Sequence, residues 1–123
     1  MESICPFCDP SGIIVENDLA FAIYDRYPVS QGHILVIPRR HFPDLFEATP
    51  EELMALAELT RQVREYADDE FAPDGYNIGI NSGRAAGQSI MHLHIHFIPR
   101  YSGGRRDPKG GVRGVIPKKQ KYP

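Results

Sequence analysis

Apolar and polar positions change period along this chain of 123 residues. Residues 12–16 (Gly-Ile-Ile-Val-Glu) and 20–24 (Ala-Phe-Ala-Ile-Tyr) are short β-rich runs, and Asn17-Asp18 between them has the composition of a hairpin turn. Residues 33–37 (His-Ile-Leu-Val-Ile) predict a third strand, entered through the turn-rich Pro28-Val29-Ser30-Gln31-Gly32 and closed by Pro38. The period then lengthens. Leu53, Leu56, Leu59, Val63 and Tyr66 recur three or four residues apart, which predicts an amphipathic helix with its apolar stripe on the sheet. Thr49-Pro50-Glu51-Glu52 supplies an N-cap, a proline at the first helical position and a glutamate three residues past the cap. Asp68-Asp69-Glu70 oppose the helix dipole, so the helix is expected to fray or stop there. Period two returns at 76–81, with Tyr76, Ile78 and Ile80 against Asn77, Gly79 and Asn81, and more strictly at 91–98. Strands, one helix, then strands predict an α+β fold with a mainly antiparallel sheet.

With 41% hydrophobic and 24% charged residues, the chain can build one modest core. It has no apolar run of about 18 residues or more to span a membrane. Its first residues lack a basic segment followed by an apolar one, and two cysteines are too few for a disulfide framework. A small soluble cytoplasmic protein is the expectation. Charge is unevenly spread: 6 basic and 15 acidic side chains up to Pro99 give −9, whereas 8 basic residues and Asp107 from Arg100 onward give +7. The acidic body argues against tight sequence-independent nucleic-acid binding, which needs many phosphate contacts. The basic tail suits a partner subunit, a polyanionic substrate, or simple solvation opposite an acidic body. Its glycine- and proline-rich residues 110–117 are expected to order only by docking on the body or on a second subunit.

Three of the five histidines, His92, His94 and His96, alternate with Leu93, Ile95 and Phe97. On a helix they would splay around the axis. On a strand they share one face, with Met91, Leu93, Ile95 and Phe97 on the other, toward the core under the helix. Three adjacent groups that titrate near neutrality suit a metal site or nucleophilic and acid–base chemistry. Cys5-Pro6-Phe7-Cys8 is half a zinc site or a redox pair; the redox reading needs a helix start beside a βαβ unit, and the zinc reading needs two more ligands.

Gly87-Gln88-Ser89-Ile90-Met91-His92-Leu93-His94-Ile95-His96-Phe97-Ile98 resembles the signature of the histidine triad (HIT) family, and the likeness extends back through Asn81, residues 33–41 and residues 21–25. The resemblance implies a HIT domain over residues 1–101, with 102–123 as a basic tail of the same unit or docked on the partner, and a sheet of about five strands continued across a homodimer. It implies a nucleotidyl hydrolase or transferase acting on the α-phosphate of a purine nucleotide. His94 would be the nucleophile, forming a covalent nucleotidyl-histidine. Ser89 would hydrogen-bond the phosphate or leaving group, and His96 would contact the phosphate or orient the nucleophile. Asn81, Gly87 and Gln88 would lie on the phosphate, glycine allowing close backbone approach, and His33 would lie near the site. Asp25 would bind the ribose hydroxyls, unless it only closes a strand-end turn. Some relatives place a structural zinc on positions matching Cys5, Cys8, His41 and His92, which would leave the chemical step to His94. The stretch His96-Phe97-Ile98-Pro99-Arg100 resembles members that cleave dinucleoside polyphosphates. Phosphoramidate hydrolysis and nucleotidyl transfer stand behind that reading, and a non-catalytic nucleotide- or zinc-binding module stands apart from all three.

Overall fold

The computed structural model describes residues 5–103 and 107–122. Residues 1–4, read above for a leader, and Arg105 and Arg106 of the basic tail lie outside the described residues. The strands are β1 (Val15–Glu16), β2 (Ala20–Tyr24), β3 (Ile34–Pro38), β4 (Gly75–Gly79) and β5 (Ile95–Arg100), with one helix, α1 (Pro50–Phe71), between β3 and β4. They form one sheet in the order β1-β2-β3-β5-β4, antiparallel at every pairing. The α+β expectation and the five-strand sheet hold.

Local chemistry explains the element ends. The Asn17 side-chain oxygen accepts from the Leu19 and Ala20 N–H groups and closes the β1–β2 turn. Helix α1 opens on a full capping box, Thr49 taking the Glu52 N–H while the Glu52 carboxylate takes the Thr49 N–H. It ends at Phe71, one residue past the acidic triplet, where the expectation puts its stop. The Phe71 ring, packed against Tyr24 and Tyr66, anchors the last turn and outweighs the unfavourable dipole. The stripe facing the sheet is Leu56, Leu59, Val63 and Ala67, not Leu53, which is 42% exposed. These residues pack on Ala20 and Ala22 of β2, Ile34 and Val36 of β3, and Ile95 and Phe97 of β5.

The last strand departs from the expectation at 91–98. Ladder pairing with β3 begins only at Val36↔Ile95, because Pro38, two residues on, has no N–H to offer Leu93. Leu93 N–H turns to Phe42 O instead, 2.8 Å away. Of the four expected core residues, Leu93, Ile95 and Phe97 are buried and Met91 is only half-buried. β4 likewise ends at Gly79, leaving Ile80 and Asn81 beyond it.

The other face of the sheet has no helix. Phe21 of β2 with Leu35 and Ile37 of β3 form a second apolar cluster there, covered by Phe7 of the N-terminal turn. His96 points to this face by alternation with Ile95 and Phe97. The C-terminal segment folds back beside β4, where a side chain at Gly111 would lie 3.2 Å from Asn77 Nδ2. Arg113 holds the segment together by donating to the carbonyls of Lys119 and Gln120.

Candidate active site and metal centre

Two clusters of titratable side chains lie on the helix-free face. The first gathers Cys5, Cys8, His41 and His92, whose ligand atoms all lie within 4.8 Å of one another. A tight turn, Cys8 N–H to Cys5 O, brings the two cysteines together. Cys5 Sγ is 3.3 Å and Cys8 Sγ 3.7 Å from His92 Nδ1, while His41 Nδ1 is 3.1 Å from His92 Nδ1 and 3.3 Å from Cys8 Sγ. Edges of about 3.3–3.8 Å are what a tetrahedron with zinc–nitrogen and zinc–sulfur bonds of about 2.0–2.3 Å has. His92 is fully buried, and its Nε2 lies 2.7 Å from Pro38 O. A carbonyl can only accept, so the proton sits on Nε2 and the Nδ1 lone pair is turned to the cluster. The donor set therefore fits zinc. It does not fit the redox alternative, since the cysteines sit in a turn and start no helix.

The second cluster is Asp25, His33 and His96. Its tautomers are fixed from the main chain. Val29 N–H donates to His33 Nδ1 at 3.1 Å, so the proton of neutral His33 is on Nε2. His33 Nε2 then donates to His96 Nδ1 at 3.0 Å, which puts the His96 proton on its own Nε2. Asp25 Oδ2 lies 3.4 Å from His33 Nε2 and 3.9 Å from His96 Nδ1, while Oδ1 accepts from Tyr27 N–H. Both readings of Asp25 thus keep a foothold: one oxygen closes a turn and the other faces the site. Burial pushes His33 below the usual histidine range against the pull of Asp25. His96 is lowered chiefly by burial and then by its neighbours His94 and His33.

His94 stands between the clusters. Its Nδ1 donates to the backbone carbonyl of His92 at 2.8 Å, leaving the Nε2 lone pair without a hydrogen bond among the described residues. The Phe7 ring packs against it with centroids 5.1 Å apart and meets His92 edge-on at 5.9 Å; Phe7 is 6% exposed. Neighbouring histidines thus present opposite functions, a lone pair on His94 and an N–H on His96.

The loop before the triad contains Gly87, whose φ of +94° caps a short 3-10 turn at Arg84–Ala86. No described residue lies within 4 Å of where its side chain would be, so inside the protein the glycine answers to conformation. Gln88 also differs from the expectation of a phosphate contact. Its buried amide donates to Pro43 O and Ile90 O and accepts from Gly83 N–H, which commits it to holding the loop. Ser89 is exposed and Asn81 half-buried. Phe7, the Val29 N–H, and the carbonyls of Pro38 and His92 went unforeseen in these roles. An apolar residue inside a Cys-x-x-Cys turn is a faint signal for the first, and main-chain groups leave none.

The family description "HIT domain" matches residues 8–103. A bis(5'-nucleosyl)-tetraphosphatase (asymmetrical) of Schizosaccharomyces pombe is 39% identical over 90 residues, 73% of this chain and 50% of that protein. An adenylylsulfatase of Arabidopsis thaliana is 35% identical over 106 residues, 81% of this chain and 54% of that one. Among solved structures, a zinc-bound histidine triad family protein from Mycobacterium smegmatis superposes with a TM-score of 0.74 at 33% identity, covering 93% of this chain and 94% of its own.

Proposed function

This chain belongs to the HIT domain family, and from that premise we propose that it hydrolyses dinucleoside polyphosphates at the α-phosphate through a nucleotidyl-histidine intermediate. The observation that carries the proposal is the pair of opposed tautomers at His94 and His96. His94 Nε2 attacks the α-phosphorus; a P–N bond forms and the bond to the bridging oxygen breaks. The His92 carbonyl holds the Nδ1–H and steadies the imidazolium that results. The leaving nucleoside polyphosphate departs as an anion, hydrogen-bonded from His96 Nε2–H, and needs no proton. Water then attacks the same phosphorus, the P–N bond breaks, one water proton passes to solvent, and His94 returns neutral. Splitting the displacement replaces one hard step by two easier ones.

In this reading Ser89, Asn81 and the loop around Gly87 receive the phosphate, and Gln88 keeps that loop in place. Asp25 binds the ribose. Cys5, Cys8, His41 and His92 would hold one structural zinc, which supplies a closed anchor for the N-terminal turn. The clustered ligand atoms and the zinc-bound relative support that assignment. Two free thiols suit a reducing compartment such as the cytoplasm, and no helix among the described residues is long and apolar enough to cross a membrane. A second copy is the proposed partner, supported by the unpaired outer edge of β4, where Ile78 is 48% exposed.

Product analysis tests the function. With diadenosine tetraphosphate the chain should release AMP and ATP, and His94→Ala should bind nucleotide yet release neither. AMP chiefly from adenosine phosphoramidate would move the protein to small amine leaving groups. Binding with no turnover of either would favour nucleotidyl transfer or a non-catalytic module.

A further inference from the structure

The N-terminal turn is tied to the rest of the fold by side chains alone. Among the described residues, residues 5–12 make no main-chain hydrogen bond to the sheet, and the first such bond after them is Ile14 N–H to Ala22 O at 2.8 Å. The turn closes on itself through Cys8 N–H to Cys5 O at 3.2 Å. Its polar contacts with the body are those of its two sulfurs with His41 and His92. Its chief apolar contact is Phe7, which lies over Phe21, Leu35 and Ile37 and against the rings of His92 and His94. Phe7 stands between the two cysteines in sequence. Whatever grips the sulfurs therefore also seats the ring that packs on His94.

The sulfurs are open to a second chemistry. Cys8 is exposed and Cys5 half-buried, and their sulfurs lie within 4.8 Å of each other. Side-chain movement within the turn brings them to a disulfide bond of about 2.0 Å. No helix start lowers their acidity, so the pair is not the dithiol of an oxidoreductase. A bound zinc would hold both sulfurs as thiolates, and thiolate is the form that reacts with peroxides.

We propose that Cys5 and Cys8 are a peroxide-sensitive modification site, and that their oxidation to a disulfide frees the metal and unseats Phe7 from His94. The inference rests on the zinc assignment above. Hydrogen peroxide is the two-electron oxidant. Cys8 Sγ, the exposed sulfur, attacks one peroxide oxygen; the O–O bond breaks, a sulfenic acid forms, and the departing hydroxide takes a solvent proton to become water. Cys5 Sγ then attacks Cys8 Sγ; the S–S bond forms, the S–O bond breaks, and a second solvent proton completes a second water. The two sulfurs give up two electrons and the peroxide accepts them. His41 and His92 then remain as two of the four ligands, too few for a closed tetrahedral site. The turn keeps only its apolar contacts, and His94 loses the ring beside it.

The test treats zinc-loaded wild type and Phe7→Leu with hydrogen peroxide. It reads the zinc passed to a metallochromic indicator, the free thiols per chain, and the rate at which diethylpyrocarbonate modifies His94, mapped by mass spectrometry. In the wild type one zinc should appear for each pair of thiols lost, with the disulfide joining Cys5 to Cys8 of one chain. His94 should then react about 2- to 10-fold faster, the factor equivalent to one aromatic contact. Dithiothreitol with added zinc should reverse all three changes, which sulfinic or sulfonic acid would not allow. Phe7→Leu should release its zinc in the same way, while its His94 rate stays within about twofold of the value before oxidation on the same reasoning. Zinc release and the disulfide with an unchanged His94 rate in the wild type would overturn the coupling through Phe7. Thiols that survive a peroxide excess would overturn the modification site and leave the zinc assignment standing. Reduced protein that holds no zinc before oxidation would overturn both.

Discussion

Two histidine-containing clusters share one face of this sheet, and both offer donor atoms close enough to grip a metal ion. Their far sides distinguish them. The outer nitrogen of His92 meets a carbonyl, Pro38 O, which keeps the proton outside and turns a lone pair inward. The outer nitrogen of His33 meets an N–H, that of Val29, which forces the proton inward to face His96. A metal bound at His33 Nε2 would leave two N–H groups opposed at Nδ1. On the proposed reading the first cluster holds a cation and the second passes hydrogen bonds to a reacting group, and residue types alone do not separate them.

Several substitutions sharpen the contrast. The largest effect is expected from Cys8→Ser combined with His41→Ala. Losing two of four ligands should abolish stable zinc binding, removing several of the roughly 10–16 kcal/mol with which such sites bind, and metal analysis of the purified variant reads it. His33→Ala should keep its zinc and instead lower kcat by about 10²-fold with little change in KM, because His96 loses the donor that sets its tautomer. A stability effect comes next: Glu52→Ala breaks both the carboxylate pairing with Arg40, the residue before His41, and half of the capping box. A cost of about 1–3 kcal/mol should appear as a lower Tm. Phe7→Leu probes the join between the regions, since Phe7 lies between the cysteines and packs on His94. Loss of an aromatic contact of about 0.5–1.5 kcal/mol should reduce kcat by about 2- to 10-fold with zinc retained.

Acidification acts on both clusters with the same sign, because burial lowers His92 as well. His33 and His96 are lowered by burial, so their folded values lie below the ordinary 6.5. Their contribution to stability is fully present above about pH 6.5 and is lost as pH falls from there through the lowered values. Activity should follow the same limb, because protonation of His96 Nδ1 breaks the hydrogen bond from His33. A pH–rate profile that rises on acidification from pH 7 to 6 would contradict the relay.

Much of this was legible in the sequence, for identifiable reasons. Strand β2 and the start of α1 follow from period and capping chemistry alone. The end of α1 just after Asp68-Asp69-Glu70 is also legible, whereas the packing of Phe71 on Tyr24 and Tyr66 that holds the last turn is a contact only the fold creates. The strand expected at 91–98 starts only at Ile95 and runs on to Arg100, because Pro38, which ends the pairing, lies more than 50 residues away in sequence. Alternation still placed His96 on the correct face. The bonds of Gln88 escape the sequence for a related reason: a loop amide finds three main-chain partners, one of them Pro43 O, only once the chain folds. Clustering of Cys5, Cys8, His41 and His92 required the family resemblance, since no local spacing joins four positions so scattered. Main-chain groups that set the tautomers have no sequence signature at all.

The most direct measurement is zinc titration of metal-stripped protein by calorimetry, comparing wild type, His33→Ala and Cys8→Ser. One tight equivalent per chain is expected, kept in His33→Ala and lost in Cys8→Ser. Two equivalents, or one that disappears with His33 and survives without Cys8, would contradict the division of the face into a metal anchor and a hydrogen-bond relay.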